Sequence, residues 1–95
     1  MRRIEEQMVD AVENKNNWVK DNTSVHYIPD CDYSDIYLHG HMIATKYHYG
    51  KESIEVNVSV LQDWPTVTTK SRLRALGVNV TTKAGVTYLD GKAID

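Results

Sequence analysis

The chain has 95 residues, 41 % of them hydrophobic and 25 % charged, with a formal net charge of −2. That length holds one domain, residues 1–95, with a thin core. The balance of residue types excludes a wholly disordered chain.

The net charge conceals an asymmetry. Residues 1–65 carry 6 Lys+Arg against 11 Asp+Glu, whereas residues 66–95 carry 5 against 2. Phe is absent, and six Tyr and two Trp supply the aromatic surface. Such rings pack as hydrophobes but keep a polar handle, so the aromatic part of the protein is expected to reach solvent. Cys31 is the single cysteine, so no intramolecular disulfide forms and a reducing compartment fits. The opening "MRRIEEQMVDAVENK" has no apolar run, so neither a signal peptide nor a membrane contact is expected.

Ile4, Met8, Ala11, Val12 and Val19 lie roughly on one side of a helical wheel, which predicts an amphipathic helix over about residues 2–15. "NKNN" stops it, because Asn tolerates the left-handed conformation at a helix end. Trp18 then reads as a plug between helix and sheet. "TSVHYIP" is a strand ended by Pro29, "PDCDYSD" is a turn, and "DIYL" and "MIATKYHY" are further strands. In "SIEVNVSVL", Ile54, Val56, Val58 and Val60 alternate with Glu55, Asn57 and Ser59, which predicts one strand with a buried and a wet face.

Pro65 breaks that pattern. Thr68 or Thr69 is the expected N-cap of a second helix that runs to about Leu76, with Gly77 just beyond its end. Val78 and Val80 then pair with Val86 and Tyr88, and Asp90-Gly91 turns the chain into a last short strand at Ala93-Ile94. The order α-β-β-β-β-α-β-β, with short connections, predicts an α+β fold: a mostly antiparallel sheet with two helices packed on one face.

Three histidines cluster around "YLHGHMIATKY". On one unbroken strand His39 and His41 would share a face and suit a metal. Gly40 between them predicts a chain reversal instead, through His39-Gly40 or Gly40-His41. Ile36, Leu38 and Ile43 then share one face, Tyr37, Met42 and Ala44 the other, and the histidines fall at the hairpin tip on opposite faces. The remaining candidates, His26, Cys31 and His48, have no zinc-knuckle or metalloprotease spacing. No nucleophile elbow, phosphate loop or dinucleotide fingerprint is present either, so no cofactor, metal or enzymatic activity is expected. The candidate contact residues in this half are His39, His41, Tyr47, His48 and Tyr49.

"TTKSRLRALG" places Lys70, Arg72 and Arg74 on one short helix. These cations are candidates for a nucleic-acid contact. The competing reading is that Leu73 and Leu76 point inward and the polar residues are merely solvated, since three charges bind phosphate weakly. The acidic first two-thirds, with exposed Tyr, instead fits a basic surface on another protein.

Taken together, "IEEQMVDAVENKNNW", "DNTSV", "IYLHGHMIA", "WPTVTTKSRLRALG" and a terminal "VTTKAGVTYLDGK" resemble a family of small proteins of unknown function encoded by tailed bacteriophages. The resemblance falls on Ile4, Glu5, Met8, Trp18, Asn22, Thr23, Leu38, His39, Gly40, Ile43, Ala44, Thr68, Thr69, Arg72, Leu73, Ala75 and Leu76. His41 stands where that family usually has Asn. The resemblance implies a phage origin and residence in the cytoplasm of the bacterial host, and it brings no activity with it. The expectation is a non-enzymatic phage accessory protein, a monomer or homodimer, that binds a host protein complex in host takeover or anti-defence. A small nucleic-acid-binding protein using helix 68–76 is the alternative.

Overall fold

A computed structural model describes residues 2–95. Helix α1 (Arg3–Glu13) is followed by five strands: β1 (Trp18–Lys20), β2 (Thr23–Ile28), β3 (Tyr33–Leu38), β4 (His41–Tyr47) and β5 (Ser53–Val56). Two helices, α2 (Val58–Asp63) and α3 (Val67–Ala75), lead to β6 (Val80–Lys83), β7 (Val86–Leu89) and β8 (Lys92–Ala93). The first five strands form one antiparallel sheet in sequence order, and the last three form a second. The fold is α+β and antiparallel, as the sequence predicts.

The core lies between the helices and one face of the large sheet. Met8, Ala11 and Val12 of α1, Leu61 of α2 and Leu73 of α3 meet Val25, Ile36, Leu38, Ile43 and Ala44. Val78 and Val80 bring the second sheet into the same cluster. Each fully buried Val, Leu, Ile or Met side chain among them contributes about 1.5–3 kcal/mol by leaving water.

Both long helices end in the same way, and the reason is local. In α1 the Asn16 amide donates to the Ala11 carbonyl at 2.9 Å and Lys15, at φ +56°, donates to Val12 at 3.2 Å. In α3 the Val78 amide donates to Leu73 at 3.0 Å and Gly77, at φ +91°, donates to Arg74 at 3.0 Å. This paired bonding satisfies the last helical carbonyls and needs one left-handed residue. Gly77 supplies it as expected, while at α1 it is Lys15, not one of the asparagines, that takes the strained conformation.

Several segments differ from the sequence reading. Trp18 opens a strand that the pattern did not show, pairing with Val25 while its ring packs on the core. Strand β3 begins at Tyr33, inside the segment read as a turn. "SIEVNVSVL" is a strand only to Val56. The Asn57 amide bonds to the Ile43 carbonyl at 2.9 Å, and its side chain accepts from the Val60 amide at 3.4 Å, which starts α2. A continuous strand would have turned Leu61 to the wet face with Glu55 and Ser59. The helix buries it to 1 % exposure.

Helix α3 starts before the expected Thr68 or Thr69, because Thr66 is its N-cap and accepts from the Thr69 amide at 3.1 Å. Val80 pairs with Leu89 and Lys83 with Val86, which leaves Val78 in the core without a strand partner, and the last strand is Lys92–Ala93.

Candidate functional site

The His39-Gly40 turn is the first of the two reversals the sequence allows. Leu38 pairs with His41, and both central residues have positive φ, +51° and +78°. Two such values define the hairpin turn whose twist matches that of its strands. The register then slips between Ile36 and Tyr37, so Ala44, not Ile43, pairs with Ile36. This bulge turns both Ile43 and Ala44 into the core, which corrects the placement of Ala44 on the outer face.

His39 and His41 are both exposed, and they border one cavity rather than opposite faces. His41 stacks on Trp64, ring centroids 5.0 Å apart and planes 25° from parallel. Leu38, Ile43, Val60 and Thr69 complete an apolar cavity of about 250 Å³ between the hairpin tip and the α2–α3 connection. Among the described residues no three His, Cys, Asp or Glu side chains converge as a metal site would require.

The basic helix is placed differently from the expectation that its cations face outward. Arg72 is 3 % exposed, and its guanidinium donates to Glu5 Oε2 at 2.7 Å and to Thr23 Oγ1 at 3.1 Å. Ser71 Oγ donates to the same Glu5 oxygen at 2.6 Å. Burial by itself pushes the Glu5 carboxyl up. Hydrogen bonds from Ser71, Arg72 and the Arg2 amide, with the Arg72 charge, outweigh it and hold the group below its ordinary value. Lys70 is also buried and its ammonium is bonded to Thr82. Arg74 alone is exposed, and its Nε donates to the Val80 carbonyl at 2.8 Å. All three cations are thus ties between α3 and its neighbours, and two of them are buried.

His48 lies at the other end of the sheet. Its Nε2 is 2.8 Å from Ser34 Oγ, and its amide donates to the Asp32 carbonyl at 3.0 Å. Burial lowers its pKa below the ordinary histidine value, against the opposing charge of Asp32. Nearby, Tyr27 donates to Asp32 Oδ1 at 2.6 Å and Lys15 pairs with the same oxygen at 3.0 Å. Those two bonds, Tyr27 first, hold the Asp32 carboxyl below its usual range. A serine beside a histidine is the start of a nucleophilic pair, but Ser34 has no exposed surface.

The remaining candidate surface is the outer face of the five-stranded sheet. Strand register gives it three rows. Val19, Ser24, Tyr37 and Met42 form one; His26, Asp35, Thr45 and Glu55 form the middle one; Ile28, Tyr33, Tyr47 and Ser53 form the third. None of these residues belongs to the core cluster. The aromatic groups meet edge-on or tilted: His26 on Tyr37 at 5.2 Å, Tyr33 near Tyr47 at 5.9 Å, and Tyr47 near Tyr49 at 6.2 Å. In the centre, Thr45 Oγ1 donates to Asp35 Oδ1 at 2.7 Å.

Of the sequence candidates, only Tyr47 and Tyr49 lie at this face. Tyr33 and Asp35 are not among those candidates because the sequence reads "PDCDYSD" as a turn, and Tyr37 is placed on the outer face of the hairpin without a contact role. The alternation Tyr33, Asp35, Tyr37 against Ser34, Ile36, Leu38 was the available signal.

A family model described as "Kyanoviridae Gp96 protein" matches residues 1–94. No curated protein and no solved structure matches the chain. No helix among the described residues is long and apolar enough to cross a membrane. The matched span is nearly the whole sequence, so the chain belongs to the Kyanoviridae Gp96 family of phage proteins.

Proposed function

We propose that the protein is a non-enzymatic accessory protein of the phage that binds a host protein in the cytoplasm of the infected bacterium, in host takeover or in blocking a defence system such as CRISPR or restriction. The observation that carries this reading is the outer face of the large sheet. An antiparallel sheet with one face packed on helices ordinarily turns short polar residues to solvent. Here Tyr33, Tyr37 and Tyr47 stand half-buried there with Met42 beside them. Aromatic residues and Met are the types enriched in protein interfaces.

Two further facts support the reading. Ser34, at hydrogen-bond distance from His48, is sealed from any substrate. The basic helix, which would carry the nucleic-acid alternative, spends Lys70 and Arg72 on internal bonds. The test is affinity purification of the tagged protein from infected cells, with and without nuclease. The reading expects a host protein at near-stoichiometric yield that survives nuclease, and recovery of nucleic acid alone contradicts it.

A further inference from the structure

We propose that the outer face of the five-stranded sheet is a docking site for an arginine- and lysine-bearing protein segment, with its cations seated along the row of Asp35, Thr45 and Glu55 between the tyrosine rows. The inference rests on the protein-binding reading above and names the surface and the chemistry of the partner.

Charge and ring placement on this face point to that partner. Every strand position of this face is known from the register, and none is Lys or Arg. Asp35 and Glu55 flank Thr45 from the two neighbouring strands, so their backbones lie about 10 Å apart. Tyr37 lies on one side of this row, and Tyr33 and Tyr47 lie on the other. A guanidinium entering the row meets carboxylates in the sheet and tyrosine rings in the rows beside it. Those are the two groups that attract a cation most strongly at a surface. Burial, then the Asp35 charge, raises the pKa of Tyr33, and the Glu55 charge, then burial, raises that of Tyr47. Both phenols therefore stay neutral and add no competing equilibrium.

The same placement argues against other occupants. A single-stranded nucleic acid would find rings to stack on but would set its phosphates against two carboxylates. A second copy docked face to face about a two-fold axis would bring the Asp35–Glu55 row against itself.

The test is an NMR titration of the labelled protein with a nine-residue arginine peptide at moderate salt. Shift changes are expected at Tyr33, Asp35, Tyr37, Thr45, Tyr47 and Glu55. Asp35→Asn with Glu55→Gln should weaken binding by about fivefold to tenfold, the size of two exposed charge pairs. Both changes keep an oxygen acceptor, so Thr45 retains its bond, and far-ultraviolet circular dichroism confirms the fold. Glu6→Gln with Glu13→Gln removes the same charge from exposed positions of α1 and should change affinity less than twofold. Equal weakening by both double variants, shift changes spread over every acidic surface, or a dimer closed through this face in sedimentation overturns the proposal. If infected cells yield the same host protein with wild type and with the Asp35/Glu55 variant, the surface is wrong and the accessory-protein reading stands. If they yield none with wild type, that reading fails whatever the peptide does.

Discussion

Arg72 of α3 and Glu5 of α1 form an ion pair of 2.7 Å with both side chains almost sealed from solvent, at 4 % and 3 % exposure. The pair joins the two long helices, and through Thr23 it reaches β2. Glu5, Thr23 and Arg72 are also among the residues that carry the resemblance to a phage family, as are the buried Met8, Leu38, Ile43, Ala44 and Leu73. Much of what makes the sequence recognisable is therefore scaffold.

Removing one partner of a buried pair leaves the other charge unpaired, which costs about 3–5 kcal/mol. Arg72→Ala should reduce the urea unfolding free energy by that amount. Replacing both, Glu5→Leu with Arg72→Met, should recover most of the loss, because two apolar groups of similar size need no partner. Thr23 would keep its bond to Asn22 at 2.8 Å. A double variant no more stable than the Arg72→Ala single variant contradicts this account.

Acid should weaken the protein in two steps. His48 has a lowered pKa in the folded chain, so the unfolded chain binds its proton first. The stabilisation from neutral His48 is complete above its unfolded pKa of about 6.5 and is lost as pH falls toward the folded value. Glu5 is also lowered, so its contribution is complete above its unfolded pKa of about 4.5 and is lost as pH falls through the folded value. Thermal melts between pH 7.5 and 5.5 isolate the first step. His48→Gln, which keeps a bonding partner for Ser34, should flatten the melting temperature over that window. An unchanged slope in the variant contradicts the assignment.

Two local devices have sharp predictions. Gly40 has open space where a Cβ would stand, so only its φ of +78° opposes a larger residue. Gly40→Ala should cost about 1–2 kcal/mol, the strain of a left-handed residue. Thr66→Ala removes the cap of α3 and should cost about 1 kcal/mol. Chemical denaturation measures both, and no change in the midpoint for either variant contradicts the local geometry described for it.

The nucleic-acid alternative makes its own prediction. If α3 bound phosphate, Arg74→Glu would weaken a salt-sensitive complex. With Lys70 and Arg72 buried, the account expects no gel shift at low salt for wild type, and a clear shift abolished by Arg74→Glu contradicts it.

The sequence made much of this legible. The apolar stripe of α1, the glycine after α3 and the two-residue turns His39-Gly40 and Asp90-Gly91 depend on neighbours within a few positions. What stayed hidden depends on distant contacts. Val56, Val58 and Val60 fit a period of two, whereas a helical turn after Asn57 brings Val60 and Leu61 inward together, and only the room for Leu61 beneath the sheet decides between them. Lys70 and Arg72 read as surface cations because their partners, Thr82 and Glu5, lie 12 and 67 positions away. The outer sheet face emerges only when the register of five strands is known, since its middle row draws on residues 26, 35, 45 and 55.

The central claim is that this protein works by binding a host protein through that face. The most direct measurement is affinity purification from infected cells, after nuclease, of the wild type beside the Asp35→Asn, Glu55→Gln variant. The account predicts one host protein at near-stoichiometric yield with wild type, reduced at least several-fold with the variant. Equal recovery with both proteins, or nucleic acid without protein, would contradict it.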